Sequence, residues 1–254
     1  MPVNLDVEQV KKLHHQGQAM KIHGNLNNGL LKAAVFGAND GIVTTFAVVA
    51  GVAGAGLSPA VILVMGVANL VADGISMGMG DYLGERSEQK QTRRQLEIER
   101  WEVENIPVEE RTELCESFMS RGVSSADAKQ LADTIVKYPD LWVEMGYVDE
   151  MGVRPDFDKG LWKTGVMTFI AFMIAGSLPL LPYFLQNFGV PVPSEHQFSL
   201  SIISTASTLF FVGSLRTLIT KGRWWMNGLE MLLIGTVAAG SAYLVGAGVE
   251  SMIK

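Results

Sequence analysis

Charge is what this sequence has least of. Only 18% of its 254 residues are Asp, Glu, Lys or Arg, against about 25% in an ordinary soluble domain. The deficit is concentrated. From Ala33 to Gly80, 48 residues pass without a Lys or Arg and with two acids, Asp40 and Asp73. From Thr164 to Leu215 the one acid is Glu195, and from Trp224 to Ile253 the charges are Glu230 and Glu250 alone. Tracts of this kind exclude a soluble globular chain, since a membrane span takes about 20 predominantly apolar residues.

Other absences narrow the chemistry. Cys115 is the single cysteine, so no intrachain disulfide can form. There is no CxxC, no phosphate loop and no Ser/His/Asp set, and nothing in the sequence supports an enzyme or a permanently bound cofactor. The four histidines, His14, His15, His23 and His196, fall outside the spans expected from these tracts. The polar N-terminus lacks the apolar core of a signal peptide, which leaves targeting to the first spanning helix. The net charge of −6 hides an uneven layout: residues 85–158 hold 18 of the 26 acids and 10 of the 20 bases. An acidic segment of that kind argues against nucleic acid as a partner.

What is there reads as an all-α membrane protein with five transmembrane helices, at about 31–56, 59–84, 161–184, 199–220 and 227–250. Pro59 suits the first turn of the second helix, and Gly and Ser recur in all five, as close helix approach in lipid requires. The chain divides into an N-terminal segment (1–30), helices 1 and 2 (31–84), a stalk and small helical domain (85–160), and helices 3 to 5 (161–254). Lys and Arg set the orientation. The side holding the N-terminus, the 85–160 segment and the 221–226 turn carries 19 of the 20 basic residues, leaving Lys254 on the other. The N-terminus and acidic segment are therefore expected in the cytoplasm and the C-terminus outside. Trp224 and Trp225, beside Lys221 and Arg223, fit an interfacial belt.

No Pro and no Gly interrupts the run after Gly84 until Pro107. The second span is expected to continue to about Glu104 as a rod of roughly 70 Å, about 30 Å of it in lipid. Pro107 then opens a helix over 107–121, "GVSSADAKQLADTIVK" caps and runs another, and Pro139 starts a third.

Carboxylates at lipid depth need a reason, because each costs about 2.5–3.5 kcal/mol on insertion scales. Asp40 sits well inside the first span, between Gly37 and Gly41. A structural role, with Asn39 or Asp40 bonding a neighbouring helix, is open to it, although an uncharged Asn or Ser would serve. On the second span Asn69, Asp73, Met77 and Asp81 are spaced four apart and form one stripe. Carboxylates suit hard divalent cations and a thioether suits softer transition metals, so the mixed lining tilts toward Fe2+ or a similar first-row ion. Met77 taken alone is as well explained by packing. In the acidic segment Glu99 and Glu102 form one E-x-x-E, and Glu110 and Glu113 another after the Pro turn. Residues three apart share a helix face, and two such pairs on facing helices resemble the carboxylate clusters that hold paired metal ions. Glu144, Met145, Asp149, Glu150 and Met151 can close such a site. A solvated acidic face is the bland alternative.

The stretches "VFGANDGIVTTFAVVAGVAGAG", "ANLVADGISMGMGDYLGERSE", "IAGSLPLLPYF" and "LEMLLIGTVAAGSAYLVG" resemble the vacuolar iron transporter family, whose members move Fe2+ and Mn2+. The resemblance covers all five spans, from about residue 30 to 250. It implies a homodimer with a pathway between the two first spans, and a cytoplasmic three-helix metal-binding domain inserted between the second and third. It also implies metal exported from the cytosol against returning protons, across a bacterial plasma membrane or a vacuolar-type membrane. By position, Asp40 and Met77 resemble the pathway aspartate and methionine, with Asp73 the nearest acid to Asn69, where plant members have a glutamate. Glu99, Glu102, Glu110 and Glu113 match the spacing of the cytoplasmic metal site, and Glu150 resembles its late glutamate. Gly146 and Tyr147 stand where plant members carry paired methionines. A membrane-anchored metal buffer or sensor without transport is the alternative, against which the buried acids count.

Overall fold

A computed structural model describes residues 29–155, 160–187, 192–220 and 222–253, together with Glu8 and Lys11. His14, His15, His23, Lys221 and Lys254 lie outside the described residues. Helix α1 (Gly29–Gly54) ends at a turn through Gly56, whose φ of 65° is the left-handed conformation that glycine adopts without penalty. Pro59 then opens α2 (Pro59–Asn105), 47 residues without a break. It stops where Pro107 forbids a helical conformation to Ile106, which lies at φ −130°.

Three short helices follow: α3 (Pro107–Ser120), α4 (Ser125–Ile135) and α5 (Pro139–Met151). Each start is written in the sequence. Pro107 and Pro139 sit in first turns, and the Ser124 hydroxyl accepts the Asp127 backbone N–H at 3.2 Å. Gly152, at φ 68°, ends α5. The remaining helices are α6 (Leu161–Ser177), α7 (Leu181–Asn187), α8 (Ser194–Leu215), α9 (Thr217–Thr220) and α10 (Trp224–Ile253), with a 3-10 turn over Leu178–Leu180. No strand occurs among the described residues. Five helical stretches among them are long and apolar enough to cross a membrane.

Two of those stretches differ from expectation. The third spans Leu161–Leu185 but is not one continuous α-helix: Pro179 lacks the N–H a continuing helix needs, and the chain passes through the 3-10 turn before resuming as α7. The fourth begins at Ser194 rather than about 199 and ends at Leu215. The expected start near 199 leaves Glu195 to Gln197 outside the span. Glu195 instead occupies the first turn, where a negative charge suits the helix dipole, and Gln197 is fully buried.

The chain forms two compact units, Met1–Asp81 with Trp162–Lys254, and Tyr82–Leu161. In the first, glycines let backbones touch. A Cβ on Gly37 would lie 2.5 Å from the Thr168 carbonyl oxygen, and one on Gly41 the same distance from that of Phe172. These contacts run α1 parallel to α6. Gly51 against Ala242 and Gly54 against Tyr243 run α1 parallel to α10, while Gly213 against Asn227 and Gly235 against Leu209 set α8 antiparallel to α10. The core joins Phe46, Val49, Ile62, Leu70, Phe172, Leu180 and Tyr183.

The second unit packs Val103, Leu114, Cys115, Ala132, Trp142 and Val143. Each large apolar side chain there contributes about 1.5–3 kcal/mol by leaving water. Exposed ion pairs join its helices: Arg100 with Asp140 at 2.9 Å, Arg111 with Asp133 at 2.7 Å, and Arg121 with Asp149. Pairs so exposed add about 0–1 kcal/mol each.

Candidate metal centre

Within the second unit, α2 presents Glu99 and Glu102 on one face, α3 presents Glu110 and Glu113, and α5 brings Glu150. One carboxylate oxygen from each of Glu99, Glu102 and Glu150 lies within 4.8 Å of the other two. Glu99, Glu110, Glu113 and Glu150 line one pocket with Leu114, Trp142, Gly146 and Asp149. Two helix faces read from spacing thus converge with a third helix. Glu99 is 3% exposed, Glu102 and Glu110 are half-buried, and Glu113 and Glu150 are exposed.

Crowded acids in a partly dry site resist ionisation. The Glu99 carboxyl is pushed up to about 8, first by burial and then by Glu110, Glu150, Glu102 and Glu113. Glu110 is raised by desolvation, then by Glu102, Glu113 and Glu150. Glu150 is raised by desolvation, then by Glu102, Glu113 and Asp149. Among the described residues no basic side chain pairs with any of these five glutamates. Arg121 is spent on Asp149 at the pocket's edge. Protonation or a divalent cation would relieve such a cluster, and carboxylate oxygens have the donor chemistry that suits a hard cation. Of the other candidates on α5, Met145 packs against the apolar core.

The first unit holds Asp40, Asp73 and Met77, all half-buried. Asp40 and Asp73 lie within electrostatic reach of each other. Two amide groups are buried without hydrogen-bond partners, Oδ1 of Asn39 beside Asp40 and Nδ2 of Asn69 one turn before Asp73. Met77 packs against the apolar core, so its thioether has a structural occupation in the single chain. Asp81, the last residue of the stripe, accepts a hydrogen bond from the buried Thr168 hydroxyl.

The VIT family model matches residues 31–247, a range that takes in the glutamate cluster and Asp40, Asp73 and Met77. The chain belongs to the VIT family. It is 34% identical to the vacuolar iron transporter of Toxoplasma gondii (strain ATCC 50861 / VEG), over 98% of this chain and 85% of that one. The vacuolar iron transporter of Plasmodium berghei (strain Anka) is 32% identical over 95% of this chain and 91% of its own. Vacuolar iron transporter 2 of Oryza sativa subsp. japonica is 27% identical over 88% and 89%.

In this VIT-family chain two residues beyond the expected set shape the sites. Gly146 makes room for Glu99, because a Cβ there would overlap the Glu99 carboxylate. Thr168 holds Asp81. The sequence marks Gly146 as a glycine inside a helix, where plant members carry a methionine. That is a weak signal of close approach, and it names no partner.

Proposed function

We propose that this chain exports Fe2+ or Mn2+ from the cytosol in exchange for protons, as a homodimer in a vacuolar-type membrane. The observation that carries the reading is the convergence of the Glu99, Glu102 and Glu150 carboxylates within 4.8 Å, without a basic partner among the described residues. A repelling cluster of that size has the donor chemistry to collect a divalent ion from dilute solution and remove part of its water. Glu110 and Glu113 add negative charge around it. The names of the relatives support iron as cargo and the vacuole as destination.

At lipid depth the reading assigns Asp40, Asp73 and Met77 to the passage. Asn39 and Asn69 support it, since unmet buried amides beside carboxylates are what a polar path would line with. A carboxylate that binds a metal or a proton, but not both, exchanges one for the other. Repeated from opposite sides of the membrane, that competition is antiport. The acidic unit faces the cytosol in this scheme and supplies the ion.

Proteoliposomes loaded with a Mn2+-sensitive dye test the proposal. Wild-type protein is expected to move Mn2+ and to move protons the other way. Asp40→Asn is expected to abolish both while Mn2+ still binds the glutamate cluster. Retained flux in that variant would remove Asp40 from the passage. Binding without flux in the wild type would leave a membrane-anchored buffer.

A further inference from the structure

Helix α8 buries Gln197, Ser201 and Thr205, one turn apart and between 0 and 2% exposed. A polar stripe is out of place facing a packed interior at lipid depth, where neither lipid nor apolar side chains offer hydrogen bonds. Part of it is accounted for by the break at Pro179. The Ser201 hydroxyl donates to the Pro179 carbonyl at 2.6 Å, and Ser204 donates to that of Leu178 at 3.3 Å. Gln197 Nε2 donates to the Val192 carbonyl at 3.5 Å, at the end of the bundle where α8 begins.

Three hydroxyls are not accounted for. Those of Thr45 on α1, Thr205 on α8 and Tyr183 on α7 are buried and have no hydrogen-bond partner among the described residues. A helical threonine ordinarily bonds the carbonyl four residues back, as Thr44, Thr208 and Thr236 do. Thr45 and Thr205 do not.

Helix direction and the apolar clusters relate their levels in the bundle. Helix α1 is parallel to α10, and α10 is antiparallel to α8, so α1 and α8 run antiparallel. Ile42 and Leu209 share one apolar cluster. One turn forward on α1 is Thr45, and one turn back on α8 is Thr205, which puts the two hydroxyls at about the same level of the two antiparallel helices. Tyr183 belongs to the cluster that holds Val49 and packs Phe198, further along α1. The polar groups thus run from the beginning of α8 to Thr45, which lies five residues beyond Asp40 on α1.

We propose that the seam between α1 and α8 holds a file of ordered water that passes protons between the end of the bundle where α8 begins and the depth of Asp40. Each water would meet two or more of the unmatched hydroxyls and the serine and carbonyl groups beside them. Hydroxyls, an amide and water all donate and accept, so a proton entering at one end releases another at the far end, and no group in the file retains charge. The route rests on the antiport reading and gives it a proton path separate from the metal carboxylates.

The test uses the full chain in proteoliposomes, with Mn2+-driven proton movement and Mn2+ uptake read together. Thr45→Val with Thr205→Val removes two hydroxyls at nearly constant volume, and is expected to slow proton movement at least tenfold while equilibrium Mn2+ binding is unchanged. Thr205→Ser keeps the hydroxyl and is expected to stay near wild type. Proton movement unchanged in the double valine variant overturns the route and leaves antiport standing. Mn2+ uptake without proton movement in the wild type overturns antiport and the route together. Hydroxyl-radical labelling from radiolysed bound water, read by mass spectrometry on the wild type, decides the matter even if the variant fails to fold. Tyr183 is expected to be labelled despite its burial, and an unlabelled Tyr183 means a dry seam and overturns the file.

Discussion

The carboxylate of Glu99 on α2 occupies the space that a Cβ at position 146 of α5 would need. Glu99 is the most buried acid of the cluster, and Gly146 lines the same pocket. The glycine's purpose is therefore room, since it sits inside a helix and needs no unusual φ.

Gly146→Ala is expected to push Glu99 off its position and weaken Mn2+ binding about tenfold, roughly 1.4 kcal/mol. Alanine is the better helix former by about 1 kcal/mol, so a lower affinity could not be blamed on a weakened α5. Isothermal titration of Mn2+ into the detergent-solubilised chain measures this. Unchanged affinity would mean that Glu99 is not a ligand.

Binding is expected to depend on pH with a defined sign. The Glu99 pKa is raised from 4.5 to about 8, so between those values the folded chain holds a proton that the unfolded chain has released. Stability of the metal-free protein should then be greatest below about pH 4.5, as far as this group is concerned, and should decline as pH rises toward about 8. Metal binding reverses the sign, because the cation needs the ionised form and expels the proton. Mn2+ affinity should climb from pH 5 to pH 8, with proton release visible as a dependence of the titration heat on the buffer's ionisation enthalpy.

Glu99→Gln separates these two effects. The neutral amide removes a repelling charge from a buried site, so the metal-free protein is expected to melt higher than wild type at pH 8. Mn2+ affinity should fall by at least tenfold, and the added stabilisation by Mn2+ should shrink with it. A variant that melts lower than wild type without metal would show that the Glu99 charge is compensated in the apo protein.

Gly41→Ala tests the bundle. The new Cβ would lie 2.5 Å from the Phe172 carbonyl oxygen, a backbone atom that no rotamer change can move. Overpacking of this kind costs about 1–3 kcal/mol, and the variant should lose thermal stability in detergent. Gly80→Ala, where a Cβ meets nothing within 4 Å, is the matched control and is expected to melt as wild type does.

Much of this molecule is legible in one dimension. Lipid solubility is a local property of about 20 residues, so the five apolar stretches can be read directly, and Pro107, Pro139 and Ser124 mark helix starts because their backbone effects are also local. The E-x-x-E spacing places carboxylates on shared faces for the same reason. Pro179 and Pro182 are equally visible, but whether a span tolerates the break they make depends on what meets the carbonyls of Leu178 and Pro179 around it. Here Ser201 and Ser204 do so from another helix.

What the sequence determined alone was class and inventory: a five-span chain carrying acids in two places. The tertiary structure decided which groups meet. Residues 99, 102 and 150 converge because Trp142, Val143, Leu114 and Val103 pack α5 and α3 against α2, and contacts across tens of residues leave no periodic trace. Burial of Gln197, Ser201 and Thr205 was hidden for a similar reason. A polar residue every fourth position defines a face, and nothing in the pattern says whether that face meets water, lipid or another helix.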